Sequence, residues 1–168
     1  MPPVEDQLEI IGRLALAALF GGVIGLEREL RGYPAGIRTL ALVTMGSLLF
    51  TDVSQLLGGN DRVAAGIVTG IGFLGAGVIF REGYTVRGIT TAATIWSAAA
   101  IGMAIGRELY LVAAAGSILV FVVLEARPFT RRVDEAIRRR TRELSEELER
   151  AIVSSEMDDR EPKVDEDD

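Results

Sequence analysis

Two stretches of this chain carry no charge over a length comparable to the hydrocarbon core of a bilayer: Val63 to Phe80, 18 residues, and Gly88 to Gly106, 19 residues. Wound as α-helices they extend about 27 to 29 Å, against a core about 30 Å thick. Lipid offers the backbone no hydrogen-bond partner, so an uninterrupted apolar run of this length reads as a helix that satisfies its own amides. Three further segments are nearly as apolar. Leu14 to Leu26 is uncharged and extends back to Leu8 through Arg13, Thr39 to Leu57 is interrupted only by Asp52, and Leu109 to Leu124 is uncharged for 16 residues. Helices of a soluble bundle would show polar stripes at helical spacing, whereas these segments are apolar nearly all round. The expected fold is all-α: a polytopic transmembrane domain over residues 1–128, with five spans at about 8–26, 38–57, 63–80, 88–106 and 109–124.

Arginines set the expected orientation. One side of the membrane receives Arg28, Arg31 and Arg38, then Arg81 and Arg87, then Arg127, Arg131 and Arg132; the other receives Arg62 and Arg107. The positive-inside rule places the amino terminus outside and the carboxyl terminus in the cytoplasm of a cell-membrane protein. Glu5, Asp6 and Glu9 precede the first apolar run with no base among them, unlike a secretory signal, so the first span is expected to be retained. After Pro128 the pattern changes. Val133, Ile137, Leu144, Leu148 and Ile152 recur at helical spacing, with Asp134/Arg138, Glu135/Arg139 and Glu146/Arg150 as acid-before-base pairs. A cytosolic amphipathic helix is expected over 129–153, and a disordered acidic tail over 154–168.

Composition removes whole classes of chemistry. The chain has no cysteine and no histidine, and its only lysine is Lys163 near the end. Zinc fingers, thiol nucleophiles, His-based triads and Schiff-base lysines are excluded, and no specific nucleophile–base pair can be composed from what remains, so no enzyme and no cofactor is expected. The net charge of -6 belongs to the tail, because residues 1–152 hold 16 acids and 16 bases. A neutral body has no excess positive charge to attract nucleic acid.

Several features stand out within the spans. Gly70-Ile71-Gly72-Phe73-Leu74-Gly75 spells the dinucleotide fingerprint, but that motif works between a strand and a helix, not inside an apolar span. Gly66, Gly70 and Gly77 instead suggest close approach of another helix, a device repeated at Gly21 with Gly25 and at Ala98, Gly102 and Gly106. Thr44, Ser47, Thr51 and Ser54 form a polar stripe with Asp52 beside it. A carboxylate at a helix centre costs roughly 2.5 to 3.5 kcal/mol on insertion scales, so Asp52 either has a partner, such as Arg62 or a hydroxyl, or sits hydrated near the outer surface or caps its helix. On the expected cytoplasmic side lie Glu27, Arg28 and Glu29, with Glu27 spaced to pair with Arg31. Arg38, Arg81 and Arg87 surround the start of the fourth span, where Thr90 and Thr91 can cap the helix. Arginines beside a helix amino terminus suit a phosphate or anionic headgroup, though arginines at these places also serve as interfacial anchors.

The runs Gly-Leu-Glu-Arg-Glu at 25–29, Pro-Ala-Gly-Ile-Arg-Thr at 34–39, Gly-Ile-Gly-Phe-Leu-Gly-Ala-Gly at 70–77 and Val-Arg-Gly-Ile-Thr-Thr-Ala-Ala at 86–93 resemble the signature of the MgtC/SapB family of membrane proteins, over about residues 8–125. The resemblance implies a compact domain in the cytoplasmic membrane, a link to growth under low magnesium, and a regulatory role exerted through other membrane proteins more than direct ion pumping. Larger members carry a folded cytosolic domain after the spans, where a helix and an acidic tail are expected here. The function expected is binding of a membrane-protein partner, lipid or anionic ligand, with self-association open; the alternative is a transporter or channel for an ion or small solute. Magnesium favours octahedral oxygen ligands, and Asp52 is the only acid well inside a span, so no metal site can be assigned from the sequence.

Overall fold

The computed structural model describes residues 4–59, 61–83, 85–126 and 140. Five helices follow one another: α1 Val4–Leu30, α2 Ile37–Leu56, α3 Asp61–Gly77, α4 Ile89–Gly106 and α5 Tyr110–Glu125. Between α3 and α4 the chain forms an antiparallel hairpin, β1 Phe80–Glu82 with β2 Thr85–Arg87, pairing Phe80 with Arg87 and Glu82 with Thr85. The hairpin corrects the expected boundary of the third span. Phe80 belongs to a strand, and α3 ends three residues earlier.

Three helices, α1, α2 and α4, are long and apolar enough to cross a membrane, while α3 and α5 are shorter, with 17 and 16 residues. At 1.5 Å per residue the shorter pair reach about 24 to 26 Å, a few ångströms less than the hydrocarbon core. A division of the chain falls after Val123; of the second unit only 124–126 and Arg140 are described. The expected amphipathic helix at 129–153, Arg140 apart, and the acidic tail lie outside the described residues, as does Tyr84.

The core is built on α2. Its buried residues Leu40, Thr44, Ser47, Leu48 and Thr51 recur every three or four positions and meet α1 through Ala17, Gly21, Ile24 and Gly25. They meet α4 through Ala98, Gly102, Ile105 and Gly106. Small residues make this closeness possible. A Cβ added to Gly21 would collide with Thr44 Oγ1 and the Leu40 carbonyl, and one on Gly102 with the Thr44 carbonyl. On Gly25 it would fall 2.6 Å from Ile37 Cα, and on Gly106 2.9 Å from Thr51 Cβ. The approach expected at Gly21, Gly25, Gly102 and Gly106 is therefore realised.

At Gly66, Gly70 and Gly77 it is not realised within this chain, for an added Cβ there meets nothing within 4 Å. Helical spacing of glycines records only where side chains are missing; no neighbouring helix closes on these positions. Leucine at Gly21 or Gly102 is thus expected to lower stability by at least the 1 to 3 kcal/mol typical of overpacking, because backbone carbonyls cannot yield as side chains do. Alanine at Gly70 should leave stability unchanged or slightly higher, because alanine is the better helix former. Thermal unfolding in detergent measures both.

Candidate functional site

Among the described residues the charged side chains of the helices lie toward the two ends of the bundle. One end holds the loop 31–36 and the β-hairpin; the other holds the α2–α3 and α4–α5 turns.

The hairpin end is organised by how α1 stops. Gly32, at φ +75°, takes the left-handed conformation, so its amide donates to the Glu29 carbonyl at 3.0 Å and the Tyr33 amide to the Arg28 carbonyl at 3.0 Å. These bonds define a Schellman ending, whose geometry brings the residue after the glycine over the side chain five positions earlier. Here the Tyr33 ring lies 3.6 Å from the Arg28 guanidinium carbon. Arg28 is buried, and its Nη2 donates to Thr91 Oγ1 at 3.0 Å, tying α1 to the first turn of α4. Glu29 Oε2 accepts from the Ile37 amide at 2.9 Å, filling the cap that Gly36 cannot provide and setting a negative charge at the positive end of α2. Glu27 is buried too, with its Oε1 2.6 Å from Arg31 Nε in the pairing their spacing implied. That contact is an ion pair lacking hydrogen-bond alignment, and neither carboxylate oxygen of Glu27 has a hydrogen-bond partner.

The arginines expected around the start of α4 are arranged differently. Arg81 Nε donates to the Gly83 carbonyl at 2.8 Å within the hairpin turn. Arg87 pairs with Glu82 at 3.3 Å across the exposed strands. Arg38 is exposed in the first turn of α2 and has no partner among the described residues. The cation that reaches α4 is Arg28. Nor do Thr90 and Thr91 cap α4: Gly88 occupies the N-cap at φ +92° without a side-chain bond, Thr90 is exposed, and Thr91 serves Arg28. The Gly88 position admits no side chain, since a Cβ there would strike the Val78 carbonyl.

At the turn end Asp52 is buried, and its partner is Arg13, not Arg62; Arg13 Nη1 lies 3.3 Å from Asp52 Oδ1. Arg62 stands exposed in the first turn of α3. Arg13 also lies 3.4 Å from Glu108 Oε1 and 3.7 Å from Glu9 Oε1, so one base faces three carboxylates. Glu108 comes within reach through its turn. It adopts φ 60°, the left-handed position usually given to glycine, at a cost of about 1 to 2 kcal/mol. Asp52 Oδ2 and Arg13 Nε remain without hydrogen-bond partners. Among the described residues no three ligating side chains are grouped to hold a metal ion.

The hydroxyl stripe of α2 is engaged in packing. Thr44 Oγ1 lies 2.8 Å from the Ala17 carbonyl and 3.0 Å from that of Leu40, and Thr51 Oγ1 donates to the Ser47 carbonyl at 2.7 Å. Gln55 Nε2 reaches the Gly106 carbonyl at 2.6 Å, joining α2 to the end of α4.

The Arg13–Asp52 pair yields a direct test. Removing one member strands a buried charge, which typically costs about 3 to 5 kcal/mol, whereas replacing both by apolar groups is often neutral. Arg13→Leu and Asp52→Leu are each expected to lower the unfolding temperature in detergent, and the double variant to recover most of the loss.

Comparison with known proteins places the chain. The profile of the MgtC family matches residues 14–133. Protein MgtC of Brucella abortus is 50% identical over 113 residues, covering 66% of this chain and 48% of that protein. YhiD of Escherichia coli K12, whose name refers to magnesium transport, is 46% identical over 129 residues, covering 70% of this chain and 60% of its own length. Protein MgtC of Salmonella typhimurium is 48% identical over 109 residues, 64% of this chain and 47% of that protein. The chain thus spans about half the length of the curated relatives named MgtC. No solved structure matches it. The matched segment takes in α1 to α5 apart from the first ten residues of α1, and with them the Arg28 cluster, Asp52 and Glu108 but not Arg13, so this membrane protein belongs to the MgtC family.

Proposed function

We propose that this is a multi-pass protein of the cytoplasmic membrane that serves magnesium homeostasis or low-magnesium adaptation, and that it acts by binding a membrane-protein partner, lipid or anionic ligand. The link to magnesium rests on the family and on the name of the Escherichia coli relative. The binding mechanism rests on one observation: the hydroxyl stripe that could have lined an ion path is closed at Thr44. Thr44 is fully buried, between the backbones of α1 and α4 at Gly21 and Gly102. At the hairpin end Arg38, Arg81 and Arg87 are exposed, Arg81 bonded to its own turn and Arg87 paired with Glu82. Exposed cations beside a membrane surface attract anionic partners and headgroups. The reading is non-enzymatic.

In this reading all five helices span the bilayer, with the hairpin end in the cytoplasm, the amino terminus outside and the carboxyl terminus inside. The side-chain ties support the sidedness: Arg28 to Thr91 and Glu29 to Ile37 gather one end of α1, α2 and α4, and Arg13 with Asp52 and Glu108 gathers the other. Reporters fused at the two termini should then read opposite sides of the membrane. Both termini on one side would remove a span.

A transport reading is favoured by a separate observation, the surplus of carboxylates around Arg13 and the unbonded Asp52 Oδ2. Magnesium flux into liposomes separates the two. Purified protein is expected to give no flux above empty liposomes. Substituting glutamine for Arg38, Arg81 or Arg87 should weaken low-magnesium growth of a strain dependent on this protein, at equal membrane levels. Flux abolished by Asp52→Asn, with full growth of the three arginine variants, would establish transport instead.

A further inference from the structure

Between α2 and α3 runs a groove of about 630 Å³, walled by Leu42, Gly46 and Phe50 on α2 and by Gly66, Gly70 and Leu74 on α3. We propose that this groove holds one acyl chain of a phospholipid, whose phosphate is met by Arg38 and Thr39 at the hairpin end. The proposal names the ligand for the lipid-binding reading above and rests on the membrane placement given there.

Glycines create the groove. A Cβ added at Gly46, Gly66 or Gly70 meets nothing within 4 Å, so the volume is the space that three side chains would have filled. The lining runs from Leu42 to Phe50 along α2 and from Val63 to Leu74 along α3. At 1.5 Å per residue that is about 12 to 16 Å, a length that suits the upper part of an extended acyl chain. What selects a lipid over a second helix is the basic group at one end of the groove. The walls are almost wholly apolar, with Ser47 the polar residue among them, as an acyl chain requires.

Polar chemistry begins where the apolar wall ends. Thr39 precedes Val43 by four residues and Gly46 by seven, which sets it in line with the groove one turn beyond it. Arg38 precedes Leu42 by four and stands beside Thr39. Both are exposed, and Arg38 has no partner among the described residues. Glu29 takes the Ile37 amide, and the guanidinium and the hydroxyl are side-chain donors exposed beside it for a phosphate at this end of α2. A basic group at the mouth of an apolar slot between helices is the arrangement that holds a phospholipid by head and tail together.

The test is retention of lipid by the full chain purified in detergent, read by native mass spectrometry. The probes are phosphatidylglycerol, diacylglycerol with the same chains, and inorganic phosphate. Wild-type protein is expected to retain one phosphatidylglycerol, at least tenfold in preference to diacylglycerol, and to retain no inorganic phosphate. Gly66→Leu and Gly70→Leu fill the groove and should lower retention at least tenfold. Arg38→Gln should abolish the preference over diacylglycerol while leaving the chain contact. Should the leucine variants not fold, Gly46→Ala/Gly70→Ala narrows the same groove with two methyl groups and should still reduce retention several-fold. Equal retention by wild type and filled-groove variants overturns the proposal. So does a dimer that dissociates in those variants without any lipid signal, since that would seat a second copy at α3. Retention is measured on the purified chain, so it can fail while the growth phenotype of the arginine variants stands, and the reverse.

Discussion

Thr44 sits where two helices come closest to a third. On one side Gly21 of α1 lets the Thr44 hydroxyl reach the Ala17 carbonyl, and on the other Gly102 of α4 faces the Thr44 carbonyl across van der Waals distance. In lipid there is no hydrophobic force to press apolar helices together, so association depends on packing and interhelical hydrogen bonds, which need backbones to be near. The absence of two side chains supplies that nearness. Once α1 and α4 are drawn onto α2 at this level, their termini are brought together as well, and the charged residues at both ends gain partners.

Those charged residues depend on the packing in turn. Arg28 is buried with its guanidinium between a tyrosine ring and a threonine hydroxyl, an arrangement that satisfies a delocalised cation better than it would an ammonium group. Arg13 and Asp52 interrupt apolar helices, and each would be costly alone. Their contact at 3.3 Å spans 39 residues of sequence and fixes the register of α1 against α2. Glu108 joins them through a strained turn, so the α4–α5 connection is coupled to the same point. Register is thereby set from both ends, by bonds that a shift of one turn would break.

What could be read from the sequence follows from which interactions are local. The helices are legible because an uncharged run reports its environment residue by residue, and the Glu27–Arg31 pair because four residues on a helix are neighbours. Arg28 with Tyr33 has a sequence signal of its own: a glycine directly after a helix announces a Schellman turn, and such a turn brings together residues five apart. The partner of Asp52 also left a trace. Arg13 and Asp52 each break an apolar helix, and in an antiparallel pair two interruptions near the same end are natural partners. Arg62 seemed closer only along the chain. No pattern could tell Gly21 from Gly70, because glycine spacing describes one helix surface and says nothing of what faces it. The hairpin was hidden for a related reason, as Val78, Ile79 and Phe80 are as apolar as the helix before them while the turn at Gly83 lies among charged residues.

Two faces of α2 have opposite surroundings. Taking 100° per residue, Leu40, Thr44, Leu48 and Thr51 fall within one narrow sector, and Leu42, Gly46 and Phe50 fall on the other side of the helix. The first sector is closed by α1 and α4 at contact distance. The second opens on α3, which leans chiefly on α4 through Gly75 and Ala92. A helix clamped so firmly on one side cannot turn to fill a space on the other, and α3, tied to α4, cannot close on it without leaving its own contact. The gap beside Gly46, Gly66 and Gly70 is thus a consequence of the tight core: the glycines that seal one face of α2 hold its opposite face apart from α3, and in a bilayer the material available to occupy that space is lipid.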